Sequence, residues 1–177
     1  MTDQVLTFID NGIGRIRLNR PKAIHALTPE MCEAINDALI GWASDDAVVA
    51  VVIDHSEGRG FCAGGDIALL ANSAKADCVD AERCVDVEYR MNHLLFVYAK
   101  PIVAFIDGIV MGGGVGIAVH GSVRVVTDTT KMAMPEVGIG FIPDVGGTLI
   151  LSRTPGLLGL HAALTGATFG ASDAIAM

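Results

Sequence analysis

The 177-residue sequence carries 20 Asp and Glu against 12 Lys and Arg, a formal net charge of −8, and 51% of its residues are apolar. So much apolar matter with only 18% charge belongs to a folded chain with a substantial core, and the length fits one domain spanning residues 1–177. A net acidic chain without a Lys/Arg run argues against nucleic acid as a partner, because phosphate binding needs clustered cations.

The chain opens on polar Met1-Thr2-Asp3-Gln4, in which no signal peptide is visible, so the cytosol is the default location. Residues 5–9, Asp10-Asn11-Gly12 and residues 13–18 then read as a β-hairpin, with Asn11-Gly12 supplying a tight primed turn. Thr28-Pro29 opens a helix as N-cap and first helical residue, and Met31, Ala34, Ile35, Ala38, Leu39 and Trp42 give it one apolar face. Residues 47–53 are Val-rich and almost wholly apolar, which predicts a strand buried on both faces. A second long helix is predicted over residues 81–98, with Cys84, Val87, Met91, Leu94, Leu95 and Tyr98 on its inner stripe and Glu88 among them.

Lys100-Pro101 breaks that helix, and residues 102–106 make another buried strand. Between Asp107 and Arg124 lie sixteen uncharged residues, but six are Gly and one is His120. A membrane-spanning helix needs about 20 predominantly apolar residues, so this stretch reads as the buried middle of a soluble fold. A glycine-rich turn, a short helix over 112–119, a strand over 123–127, an extended piece at 132–134 and a helix over 156–164 complete the reading. Strands alternating with helices predict α/β architecture. Cys32, Cys62, Cys78 and Cys84 are too few and too scattered for a disulfide scaffold.

Two glycine-rich turns each follow a buried strand: Phe61-Cys62-Ala63-Gly64-Gly65-Asp66-Ile67 and Met111-Gly112-Gly113-Gly114-Val115-Gly116. Such turns present free backbone N–H groups, and two facing one another could hold an oxygen that becomes negative during reaction. Close backbone packing explains either turn taken alone. A third stretch sets Glu136 and Asp144 in an otherwise uncharged Gly/Pro-rich run beside Val, Ile and Phe, so at least one carboxylate should be partly buried and raised toward acid–base use. A structural Glu136 and a helix-capping Asp144 are the bland alternative. Gly58-Arg59-Gly60-Phe61-Cys62-Ala63 fits G-x-G-x-x-A formally, but Gly64-Gly65 interrupts the helix that a dinucleotide fingerprint requires. No P-loop, nucleophile-elbow serine or metal-ligand spacing occurs, and Cys62 in a packed turn reads as structural.

Asn19-Arg20-Pro21-Lys22-Ala23-Ile24-His25-Ala26-Leu27, F-C-A-G-G-D, M-G-G-G-V-G and M-P-E-x-x-I-G together resemble the crotonase (enoyl-CoA hydratase/isomerase) superfamily over essentially the whole chain. Within it, M-G-G-G-V-G-I-A-V-H-G, F-I-P-D-V-G-G and the Glu88-Tyr89 pair are most similar to the 3-hydroxyisobutyryl-CoA hydrolases of valine breakdown. The resemblance implies a spiral of ββα repeats and thioester hydrolysis on a short hydroxyacyl-CoA, with Glu136 and Asp144 catalytic, Gly65 and Gly113 as oxyanion-hole amides and Glu88 touching substrate. It also implies that the CoA tail lies along Ala23, Ile24, Ala26, Ala63, Asp66 and Ile67. No cofactor or metal is implied, coenzyme A being part of the substrate. Hydratases of the superfamily carry their first glutamate at the position of Gly116, which has no side chain. Enoyl-CoA hydration or isomerisation, and non-catalytic CoA-ester binding, are the alternatives. Family members are roughly twice as long, so the resemblance leaves out their C-terminal helical region, and apolar surface left exposed there would favour homo-oligomers.

Overall fold

The computed structural model describes residues 2–177. In it β1 (Val5–Asp10) and β2 (Ile13–Leu18) pair antiparallel, from Val5↔Leu18 to Asp10↔Ile13. Asn11 and Gly12 take φ of 48° and 80° between them, the left-handed pair that a primed turn needs. A short 3-10 turn, Pro21–Ala23, leads to α1 (Pro29–Ala43). Thr28 caps this helix as predicted, its hydroxyl accepting the Met31 amide at 3.3 Å. Met31, Ile35, Leu39 and Trp42 then bury one stripe at helical spacing.

The next strand departs from the prediction. β3 (Ala50–His55) starts three residues later and runs past Ile53, and its burial alternates, with Val51 and Ile53 inside. Asp45 explains the late start: its carboxylate and carbonyl accept the amides of Ala47 and Val48, which holds those residues in a turn. Charge explains the extension. Asp54 lies beside Arg17 in the parallel β2–β3 register and accepts hydrogen bonds from both Arg15 and Arg17, so the strand can carry an acid.

The first glycine bend follows, then α2 (Ile67–Lys75) and α3 (Val79–Val97). α2 has no counterpart among the predicted elements. α3 matches the predicted helix and buries Cys84, Glu88, Met91, Asn92 and Leu95. Two strand–strand–helix units complete the pattern. β4 (Ile102–Ile106), β5 (Ile109–Met111) and α4 (Gly113–Val119) form one, and β6 (Val123–Val126), β7 (Lys131–Ala133), a 3-10 turn at Glu136–Ile139 and α5 (Gly147–Ser152) form the other. The chain ends through α6 (Leu158–Thr165), β8 (Phe169–Gly170) and α7 (Ala171–Ala176).

The first strand of each unit joins one five-stranded sheet in the order β1-β2-β3-β4-β6, parallel beyond the opening hairpin. The second strands build another layer, β5-β7-β8. In the unit that begins with β3, isolated bridges from Gly60 to Gly108 and from Cys62 to Val110 take the place of a second strand. The core lies between these layers and α1, α3 and α4, centred on Ile16, Leu18, Met31, Ile53, Phe61, Met91 and Ile106. Among the described residues no helix is long and apolar enough to cross a membrane.

Candidate active site

The bridge at Cys62 sets the two glycine bends side by side. Cys62 donates its amide to the Ile109 carbonyl at 3.1 Å and accepts the Met111 amide at 2.9 Å, which registers bend 62–66 against residues 111–113. On the other flank Leu27 donates to the Gly64 carbonyl at 2.8 Å and accepts the Asp66 amide at 2.9 Å. In a parallel bridge these bonds use the neighbours of Gly65, so the Gly65 N–H faces away from Leu27. Gly64 has φ +94°, and a Cβ there would lie 3.2 Å from the Gly113 nitrogen. A Cβ on Gly113 would lie 3.3 Å from the Gly65 nitrogen. Gly113 is the first residue of α4, where an amide has no intrahelical acceptor. The structure therefore brings the two expected glycines together.

Missing side chains on α4 make room for acids. Gly112 has φ +52°, and a Cβ on it would lie 2.7 Å from Glu136 Oε1; one on Gly113 would collide with Glu88 Oε1. Glu88 and Glu136 are each only 7% exposed. Burial pushes the Glu88 carboxyl up to about 7, with the nearby charges of Asp144 and Glu136 adding to the effect. Burial also raises Glu136, and the Asp144 charge contributes. Asp144 is half-buried and does not cap α5, whose N-cap is Gly146. Instead its Oδ2 accepts the Tyr89 hydroxyl at 2.8 Å. His120 Nε2 donates to the Val145 carbonyl at 2.8 Å, tying the same loop to α4.

Buried polar atoms without partners mark the site independently. Five side-chain N or O atoms among the described residues are buried with no hydrogen bond, and four belong to Glu88, Glu136 and Asn92. Such atoms are rare in folded proteins and concentrate where a ligand completes the bonding. The sequence alone gives Asn92 and His120 no chemical role, and Tyr89 enters only beside Glu88 in the resemblance. The available signal for Asn92 was its position four residues after Glu88 on the same apolar stripe.

The residues expected along the CoA tail also gather at one edge. The Ala63 amide donates to the Ile24 carbonyl at 2.9 Å, and Ala23, Ile24, Ala26, Ala63 and Asp66 are partly exposed beside Gly65, with Ile67 more exposed than these. The Asp66 carboxylate is already engaged, by the Leu69 amide at the N-cap of α2 and by Arg20 at 2.8 Å. Buried His25 braces this edge: the Arg20 amide donates to its Nδ1 at 2.9 Å, so its Nε2 donates to the Glu57 carbonyl at 3.0 Å. Cys62 accepts the Gly64 amide, and burial pushes its thiol up to about 12, which keeps it protonated at neutral pH. Among the described residues no three His, Cys, Asp or Glu side chains converge as a metal site.

The sequence profile of the enoyl-CoA hydratase/isomerase family matches residues 13–177. A mitochondrial 3-hydroxyisobutyryl-CoA hydrolase of Xenopus tropicalis is 48% identical over 160 residues, 90% of this chain and 42% of that protein. Small ribosomal subunit protein mS47 of Neurospora crassa is 43% identical over 155 residues, 86% of this chain and 30% of that one. Among solved structures, a carnitinyl-CoA dehydratase from Mycobacterium thermoresistibile is 57% identical with a TM-score of 0.96, covering 99% of this chain and 52% of that one. The chain thus spans about half the length of these three proteins, or less. The hydrolases it matches in Xenopus tropicalis and Danio rerio are named mitochondrial, which overturns the cytosolic expectation. That expectation rested on the polarity of four residues, which carries no address.

Proposed function

Because the chain belongs to the enoyl-CoA hydratase/isomerase family and shares its fold, we propose that it hydrolyses the thioester of a short hydroxyacyl-CoA of the 3-hydroxyisobutyryl type. The observation that carries this reading is the approach of the Gly65 and Gly113 amides to one another beside the buried Glu88 and Glu136 carboxyl groups. The CoA moiety lies along the edge formed by residues 23–26 and 63–67. The two amides donate to the thioester oxygen, and their bonds strengthen as it becomes an oxyanion. Glu136 supplies the nucleophile: it takes a proton from an attacking water, or attacks to form an anhydride that water then opens. The C–S bond breaks, and the thiolate leaves with a proton as free coenzyme A. Asp144, held by Tyr89, lies where it can orient the acyl group or pass that proton.

The reading is tested by free-thiol release from 3-hydroxyisobutyryl-CoA, with Glu136→Gln as control. That substitution keeps the shape and removes the base, so kcat should fall by about 10²–10⁴-fold while CoA-ester Kd changes little. Turnover retained in the variant would remove Glu136 from the mechanism. Hydration of an enoyl-CoA is the second reading, supported by the 57% identity to a protein named carnitinyl-CoA dehydratase. Gly116 weighs against it, since the first hydratase glutamate expected from the resemblance has no counterpart there. Loss of enoyl absorbance from crotonyl-CoA without thiol release would favour hydration; tight binding with neither would favour a CoA-ester-binding module.

A further inference from the structure

Asn92 lies one helical turn beyond Glu88 on the inner face of α3 and is 5% exposed. Neither its Oδ1 nor its Nδ2 has a hydrogen-bond partner among the described residues. A Cβ on Gly116 would lie 2.9 Å from Asn92 Oδ1 and 2.8 Å from Val145 Cβ, so the amide, Gly116 and Val145 meet at one spot. The two helices match step for step: Glu88 faces Gly113, and Asn92 faces Gly116 three residues further along α4. The CoA edge lies on the Leu27 side of Gly65, away from α4. Movement along α4 from the amide pair toward Asn92 is therefore movement along the acyl chain. One such step spans about 5–6 Å, which a hydroxyl on the second or third acyl carbon can bridge with its own hydrogen bond.

We propose that Asn92 selects a hydroxylated acyl group, its Nδ2 donating to the substrate hydroxyl and its Oδ1 accepting the hydroxyl proton. This rests on the reading of the site as an acyl-CoA thioesterase. The chemistry of the amide decides the ligand class. A carboxamide offers a donor and an acceptor side by side, and a hydroxyl is the smallest group that answers both. A plain hydrocarbon answers neither and leaves the amide buried and unpaired, which is how a polar site rejects an analogue lacking one oxygen. A keto oxygen or a carboxylate answers only the donor, and a carboxylate would also meet Glu88, Glu136 and Asp144. A cavity of about 410 Å³ adjoins this spot, lined by Tyr89, Asn92, His120, Asp144 and Val145 among others, and Val145 also meets the Gly116 position.

The test compares 3-hydroxyisobutyryl-CoA with isobutyryl-CoA, which differ by that one hydroxyl, on the 177-residue chain and on Asn92→Leu and Asn92→Ala. The wild type should prefer the hydroxylated ester in kcat/KM by about 10²-fold or more. Both variants should lower that ratio at least about tenfold, with the larger loss on the hydroxylated ester. Asn92→Leu should melt no lower than wild type, because it removes an unpaired amide from the interior. A ratio unchanged in both variants, or one that falls only with a melting temperature several degrees lower, would overturn the assignment. If the wild type releases thiol from neither ester, the hydrolase reading fails and calorimetric Kd values decide Asn92 separately. Tighter wild-type binding of the hydroxylated ester that disappears in both variants upholds the assignment, and equal Kd values in the wild type overturn it.

Discussion

Glu88 is buried between the bends that hold Gly65 and Gly113, and its carboxyl is pushed up to about 7 from an ordinary 4.5, first by burial and then by Asp144 and Glu136. The folded protein therefore keeps a proton that the unfolded chain has already lost. By linkage, the Glu88 contribution is harmless below about pH 4.5 and becomes an increasing penalty as pH rises to about 7. At about 1.4 kcal/mol per pH unit, that penalty is about 3–4 kcal/mol at most. Glu88→Gln has the same shape and cannot ionise. It should raise the melting temperature clearly at pH 8 and hardly at pH 4, and equal effects at the two pH values would show that the Glu88 charge is not the source. The same contrast between charge and burial sets how visible each site residue is in the sequence. Glu136 and Asp144 stand out as charges in an apolar run, and Glu88 as an acid on an apolar stripe. Asn92 shares that stripe but carries no charge, so its place against Gly116 shows only once α3 is seen packed on α4. Tyr89 shows in the sequence only beside Glu88 in the resemblance; its bond to Asp144, which joins residues 55 apart, does not show there.

Glycines on two helices show how an element's surroundings decide what a side chain would cost. Gly41 lies on the exposed side of α1, and a Cβ there meets nothing within 4 Å. Gly41→Ala should stabilise the protein by about 0.5–1 kcal/mol, the backbone freedom that Gly loses in a helix. Gly114 in α4 faces the opposite situation: a Cβ there would collide with the Cys62 carbonyl oxygen and lie 3.0 Å from its carbon. Backbone cannot step aside as a side chain can, so Gly114→Ala should cost about 1–3 kcal/mol or more. Urea unfolding of the two variants measures both, and a neutral Gly114→Ala would mean that bend 62–66 is softer than its bridge bonds imply. The hairpin, α1, α3, α4, β4, β6, β7 and α6 fall within two residues of their predicted bounds. β5 and β8 are three and two residues long, too short to show an alternation, and α2 buries no apolar side chain, only Ser73, so no inward stripe marks it. β3 differs from its predicted bounds at both ends, since Asp45 delays its start and the arginines that let it carry Asp54 belong to another strand.

Across the whole molecule, apolar surface and net charge pull in opposite directions. Of 23 large hydrophobic side chains exposed among the described residues, ten fall between residues 137 and 175, including Ile142, Leu157, Leu164 and Ile175 at 65%, 74%, 65% and 78% exposure. Burying such side chains is worth about 1.5–3 kcal/mol each, so this region favours contact with any apolar surface, including a second copy. A net charge of −8 opposes that contact by repulsion between copies. Salt distinguishes the two effects, because the screening length drops from about 10 Å at 0.1 M to about 3 Å at 1 M while apolar attraction persists. The chain should therefore self-associate with rising concentration, more strongly in high salt, as read by sedimentation velocity. Replacing Leu157 and Leu164 together by Gln should weaken the association without lowering the melting temperature, since both side chains are already mostly in water. A monomer at every concentration and salt level would mean that the ten side chains are too dispersed over residues 137–175 to act as one surface.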